Sequence, residues 1–423
     1  MAAGRRWYRL DNAAKIIPST AHGYDTRVFR ISCTMTEEVD PACLQEALDR
    51  TILDFPHFNC VLRKGFFWFY METTPARVLV EEEFEAPMRS LYQPGKAGIL
   101  YRVLYYRKRI TVEIFHAVTD GTGGMVFMKA LLRAYISIRH HLPDLKVSDD
   151  STGLTERAED AFRRFYSPKA KNWLKNLVPR LACQLKGAKA ENFEMILVEG
   201  QVPLDQYRAL AAEKNTSLMI LTVAIYIQSI MKLSARSELK RPIVIQIPVN
   251  LRNYFDTETT RNFFGTINIE YMPDKDDGSI DSIIRKVSEE FSKKLNADAV
   301  SSMMDTYATL EHNMAVKVVP LFLKDLGIQG IYFLNRLGIT SCVSNMGKIE
   351  VAPEMEPYIE NFSCFSPTLK TQMVFSSYKN ILTFGFATVF RNHVQMMHFF
   401  RTMTSYGIDV TVSTTDYNEQ TDR

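Results

Sequence analysis

No run of apolar residues in this chain reaches the roughly 18 needed to cross a membrane; the longest, residues 217–231, falls short. Neither sign of charge dominates. The 51 Lys and Arg stand against 48 Asp and Glu, a net charge of +3, which excludes the broad basic field of a nucleic-acid-binding protein. The six cysteines (Cys33, Cys43, Cys60, Cys183, Cys342 and Cys364) form no CxxC and no Cys/His cluster. That spacing argues against a zinc site and a disulfide scaffold, and reads as reduced, core-filling thiols of a cytoplasmic protein. The basic start, Met-Ala-Ala-Gly-Arg-Arg, has no apolar stretch behind it, so no signal peptide is expected. HxxxH, HExxH, GxSxG, a P-loop and a GxGxxG after a strand are all missing. With them go the common metal, hydrolase and nucleotide sites, and no metal is expected.

What is present is a globular composition, 46% hydrophobic over 423 residues, enough for two domains. Strand patterns fall at residues 24–36, 241–248, 339–343, 372–377 and 381–390, with hairpins turning at Lys64-Gly65 and around residues 107–109. Helical patterns begin at Pro41 and cover residues 125–138, 203–214 and 217–232, the last capped by Thr216, and most of 279–336. In residues 110–116 the alternation of Ile110, Val112 and Ile114 with Thr111 and Glu113 predicts a strand with one buried face. The runs Met125, Phe127, Met128 and Leu321, Phe322, Leu323 read as core packing. Strand and helix mix irregularly in both halves, which predicts an α/β fold with mixed sheets rather than a doubly wound parallel sheet. The expected division is 1–145, a crossover at 146–191, and 192–423. Within the crossover, residues 163–189 concentrate basic charge, either as a solvated link or as a docking surface for an anionic partner.

The most informative segment is His116-Ala117-Val118-Thr119-Asp120-Gly121. A histidine ending a buried strand, just before a tight turn and a helix, is held rigidly, and imidazole takes a proton at neutral pH. The competing reading is a buried structural histidine. Asp120 can brace the loop by pairing with an arginine, and Gly121 lets the chain reverse without a Cβ clash.

HxxxDG resembles the signature of the CoA-dependent acyltransferase superfamily, which includes chloramphenicol acetyltransferase, the BAHD acyltransferases, condensation domains and alcohol O-acetyltransferases. Pro248-Val249-Asn250-Leu251-Arg252 resembles its arginine-bearing motif, and Ser344-Asn345-Met346-Gly347 resembles the SNxG segment of the alcohol acetyltransferase-like branch. The three occur in family order across nearly the whole chain. Phe115 stands where condensation domains carry a second histidine, and the DFGWG motif of BAHD enzymes has no counterpart.

The resemblance implies two chloramphenicol-acetyltransferase-like domains with an active-site tunnel between them. It implies that His116 acts as general base on an alcohol or amine acceptor, which attacks the thioester of an acyl-CoA co-substrate carrying acetyl or another short acyl group. It further implies an Asp120–Arg252 pair that holds the loop, and Ser344, Asn345 or Asn250 at the oxyanion or the substrate. No bound cofactor is expected. Two alternatives remain: an acyl or peptidyl carrier protein as donor, docking on residues 163–189, and a non-catalytic binding protein that keeps the fold.

Overall fold

Glu113 is a carboxylate in the middle of a buried strand, and its surroundings explain the first sheet. In a computed structural model that describes residues 7–143, 161–164, 179–296, 299–301 and 318–414, strand Arg109–Phe115 pairs antiparallel with Val28–Met35 and Tyr101–Tyr106. The register sets Glu113 directly between Arg30 and Arg102, and both arginines bond its carboxylate, at 2.9 and 2.7 Å. A buried charge is tolerated only when paired in this way. Thr111 and Glu113 are therefore as buried as Ile110, Val112 and Ile114. This corrects the expectation of one buried face: polar residues at alternate positions can face a second covered layer when their partners sit beside them.

The sheet continues with Ile359–Phe365 on the outer edge of Val28–Met35, and with the short Glu81–Glu82 beyond Tyr101–Tyr106. Ile359–Phe365 comes from the C-terminal half of the sequence, so it stitches the two halves together. It also packs against Thr371–Tyr378 and Ile381–Thr388, strands of a seven-stranded sheet. That sheet runs Phe264–Tyr271, Ile243–Asn250, Ser341–Lys348, Thr371–Tyr378, Ile381–Thr388, Ile196–Pro203 and Thr411–Thr414. Ser341–Lys348 is parallel to both neighbours and the other pairs are antiparallel, which makes the sheet mixed. A three-stranded sheet of Trp7–Arg9, Phe69–Thr73 and Cys60–Lys64 lies apart.

Helix Pro41–Thr51 starts where Asp40 accepts hydrogen bonds from the amides of Ala42 and Cys43, a side-chain cap followed by proline in the first turn. It packs against Gly121–Arg139. That helix begins four residues earlier than the apolar pattern indicates, because Asp120 caps it by accepting from Gly123 N. Helix Leu218–Leu233 is capped by Ser217, not by Thr216.

Helix Leu321–Leu337 departs from expectation in another way. Leu321 is buried, but Phe322 and Leu323 are 63% and 50% exposed among the described residues. The inward face is instead anchored by Lys324, whose Nζ bonds Phe67 O and lies 3.6 Å from the centroid of the Trp68 ring. Among the described residues no single helix is long and apolar enough to cross a membrane; Leu204–Glu213 and Leu218–Leu233 reach that length only as a pair bent by 86°.

Candidate active site

His116 follows the last residue of Arg109–Phe115, and its amide donates to Arg27 O at 2.7 Å. The imidazole is held between Phe29 and Phe264, with ring centroids 5.1 and 5.5 Å away. Its Nδ1 lies 3.0 Å from Asn262 Oδ1. An amide oxygen only accepts, so Nδ1 carries the proton and Nε2 is left with its lone pair. Burial pushes the imidazole below the usual histidine range, against an opposing pull from Asp120, so the neutral form holds at neutral pH.

Asp120 is not hydrogen-bonded to this ring; its oxygens are spent elsewhere. Oδ1 caps the helix, and Oδ2 accepts from Arg252 Nη1 at 2.9 Å and from Phe263 N at 2.8 Å. Arg252 reaches further, to the carbonyls of Thr259 and Arg261 and to Asn250 Oδ1. Asn250 donates through Nδ2 to Thr122 Oγ1. The arginine thus clamps residues 250–263 onto the start of helix Gly121–Arg139. Gly121 is not the reversing residue the sequence suggests, because it already lies in that helix. A Cβ there would come within 2.9 Å of Met346 Sδ, the far end of a flexible side chain that can yield, so HxxxDG and SNxG meet at this glycine.

Two cavities meet at His116. The first, of about 120 Å³, is lined by Phe29, Ile31, Phe264, Val374 and Met346 together with Asp120, Asn250, Arg252, Ser344 and Asn345. Its charges are paired: Arg252 with Asp120, and Arg30 with Glu113 and Glu83. The second, of about 370 Å³, carries Arg27, Arg336 and Lys370 against one carboxylate, Asp25. Asp25 is taken by Arg27 at 3.3 Å and by the Tyr332 hydroxyl. Lys370 Nζ donates only to neutral oxygens, Gln184 Oε1 at 2.7 Å and Ile339 O at 2.6 Å among them, and burial lowers it to about 8. Among the described residues neither Lys370 nor Arg336 has an ion-pair partner, so this cavity has an excess of positive charge.

The sequence-selected residues therefore gather round one point: His116, Asp120, Gly121, Asn250, Arg252, Ser344 and Asn345 all line the first cavity. Within it Asn345 is exposed, and its Oδ1 already accepts from Gly347 N. Three site residues were missed from sequence. Asn262 and Asp11 support the imidazole from behind, and Gln372 lines both cavities beside His116. The one available signal was the polar stretch Thr259-Thr260-Arg261-Asn262 before the edge strand Phe264–Tyr271, all four of which are buried. Of the basic residues 163–189, Lys171 and Lys175 lie outside the described residues. Arg180 is exposed and borders a third cavity, which shares Gln246, Thr266 and Ile339 with the cationic one. Lys186 pairs with Glu238.

This architecture is that of the CoA-dependent acyltransferases and condensation domains. Among solved structures, Fusarium sporotrichioides TRI101 complexed with coenzyme A and T-2 superposes with a TM-score of 0.67 at 14% identity, over 96% of this chain and 99% of that one. Polyketide synthase associated protein 5 from Mycobacterium tuberculosis gives 0.61 at 13% identity, over 92% and 97%. The first condensation domain of the calcium-dependent antibiotic synthetase gives 0.61 at 14%, over 94% and 95%. At these identities the likeness is one of fold. No protein family and no curated protein matches the chain by sequence.

Proposed function

We propose that this protein transfers an acyl group from a thioester donor, acyl-CoA, to an alcohol or amine acceptor, with His116 as general base. The observation that carries the reading is the bare Nε2 of a neutral imidazole at the junction of two cavities. The acceptor's O–H or N–H loses its proton to Nε2 as its heteroatom bonds the thioester carbonyl carbon. The C–S bond then breaks, and the departing thiolate takes the proton back from the imidazolium.

The charge difference between the cavities supports a division of labour. The cationic one, with Arg336 and Lys370, suits the diphosphate of CoA, and its continuity with the cavity beside Arg180 is in keeping with a donor route along the basic crossover. The charge-paired cavity suits a neutral acceptor. Gln372, at the junction, is better situated to donate to a developing oxyanion than Ser344 or Asn345, which line the first cavity alone. Asp120 and Arg252 act as braces. Six free thiols suit a cytoplasmic setting.

The test is release of free CoA, followed together with acylated product, over a panel of acyl-CoAs and of alcohols and amines. Equal amounts of thiol and product support the reading. Transfer only from an acylated carrier protein would replace CoA as donor, and binding without transfer from either donor would make the chain a binding protein.

A further inference from the structure

Behind His116 stands a second carboxylate, besides Asp120, that the acyl-transfer reading does not use. Asp11 is fully buried, in the N-terminal segment, far in sequence from every motif. Its Oδ1 accepts from Ala14 N at 2.8 Å, and its Oδ2 accepts from Asn262 Nδ2 at 3.2 Å, with Arg261 Nη2 3.6 Å from the same oxygen. Asn262, itself buried, turns its other end to His116 Nδ1. An amide has one accepting and one donating end, so whatever fixes one end dictates the other. Burial raises the Asp11 carboxyl, but Arg261, the Ala14 amide and the Asn262 NH₂ all favour its ionised form, and an ionised carboxylate can only accept. Asp11 therefore claims the NH₂ of Asn262, the amide oxygen must face the imidazole, and the imidazole must carry its proton on Nδ1.

We infer that Asp11 is a positioning residue: acting through Asn262, it selects the histidine tautomer whose Nε2 is free to take a proton. The inference rests on the general-base reading of His116, but its direct readout does not depend on activity. Asp120, four residues from the histidine and the obvious partner by sequence, is committed to the helix cap, Arg252 and Phe263 N. The control of proton position falls instead to a chain of two hydrogen bonds from another part of the fold. Arg261 stabilises the Asp11 charge and donates to Arg9 O, tying the segment down.

Asp11→Asn makes a sharp test. Its oxygen must stay on Ala14 N, so its new NH₂ faces Asn262, which satisfies it by rotating its amide and presenting NH₂ to His116. Long-range ¹H–¹⁵N NMR of histidine-labelled protein at neutral pH reads the tautomer, with the His116 signals identified by their loss in His116→Gln. The wild type should show a pyrrole-like Nδ1 and a pyridine-like Nε2. Asp11→Asn should exchange the two, and kcat should fall between roughly 10- and 10⁴-fold with the KM values little changed. Should that variant not fold, Asn262→Leu removes the amide, and its imidazole should populate both tautomers. A wild-type tautomer in either folded variant would overturn the inference. An exchanged tautomer with undiminished kcat would uphold it and reject His116 as the base instead.

Discussion

The imidazole of His116 combines two properties that oppose each other in water: a free lone pair at neutral pH and a fixed orientation. Burial supplies the first by disfavouring the imidazolium, and Asn262 supplies the second. Because the shift is downward, the acid limb of kcat/KM should lie below pH 6.5, with activity lost only as pH falls through that lowered value; a limb above 6.5 would contradict the burial argument. Asp120 works differently. Asp120→Ala removes a helix cap and leaves Arg252, which is largely buried, without its only carboxylate among the described residues. An expected loss of about 3–5 kcal/mol, read from urea unfolding, should exceed its effect on kcat in whatever folded fraction survives. Of these residues His116, Asp120 and Arg252 were legible because a spaced motif marks them. Asn262 and Asp11 were not, since nothing in a one-dimensional pattern says which buried polar residue faces which.

Helix Gly121–Arg139 shows how an element can be legible in kind and wrong at its start. Its apolar stripe announces it from Met125, but three glycines and a capping aspartate form the first turn, and glycine carries no periodicity. Those glycines answer to close packing. A Cβ on Gly123 would lie 2.0 Å from Thr260 O, so Gly123→Ala must push the clamp of residues 250–263 off the helix. A loss of about 1–3 kcal/mol is expected, with a fall in kcat because Asn262 moves with that segment. Gly327 is the contrasting case, a helical glycine with nothing within 4 Å. Gly327→Ala should leave activity alone and raise stability by about 0.5–1 kcal/mol. The helix that carries Gly327 also shows where periodicity misleads. Its apolar residues recur at helical spacing, but Lys324 anchors the inward face, and hydrophobicity alone does not reveal which side of a helix is covered.

At the scale of the molecule, the irregular alternation of strands and helices was enough to foresee mixed sheets. It did not reveal that Ile359–Phe365 would cross over to complete the N-terminal sheet, because strand partners are chosen by long-range packing. The same large core buries a second histidine. His57, against Thr260, is driven down to about 3 by burial and by Arg261. The unfolded chain binds a proton near pH 6.5 and the folded one does not, so stability falls as pH drops below 6.5 and continues to fall towards 3. Between pH 6.5 and about 5 this one group should remove about 2 kcal/mol, a slope that His57→Gln should flatten. Charge placement is the other whole-molecule property. A net +3 conceals a cavity with two cations that have no ion-pair partner among the described residues, and Arg336→Met with Lys370→Met should raise the donor KM while sparing the acceptor KM.

The central claim, that a neutral His116 takes the acceptor's proton as an acyl group passes from donor to acceptor where the two cavities meet, is tested most directly by comparing wild type with His116→Ala in the rate of acylated product formed from saturating acyl-CoA and acceptor. A folded variant slower by roughly 10²–10⁴-fold, with its donor affinity retained, is the result expected. Equal rates in the two proteins would remove His116 from the chemistry and the account with it.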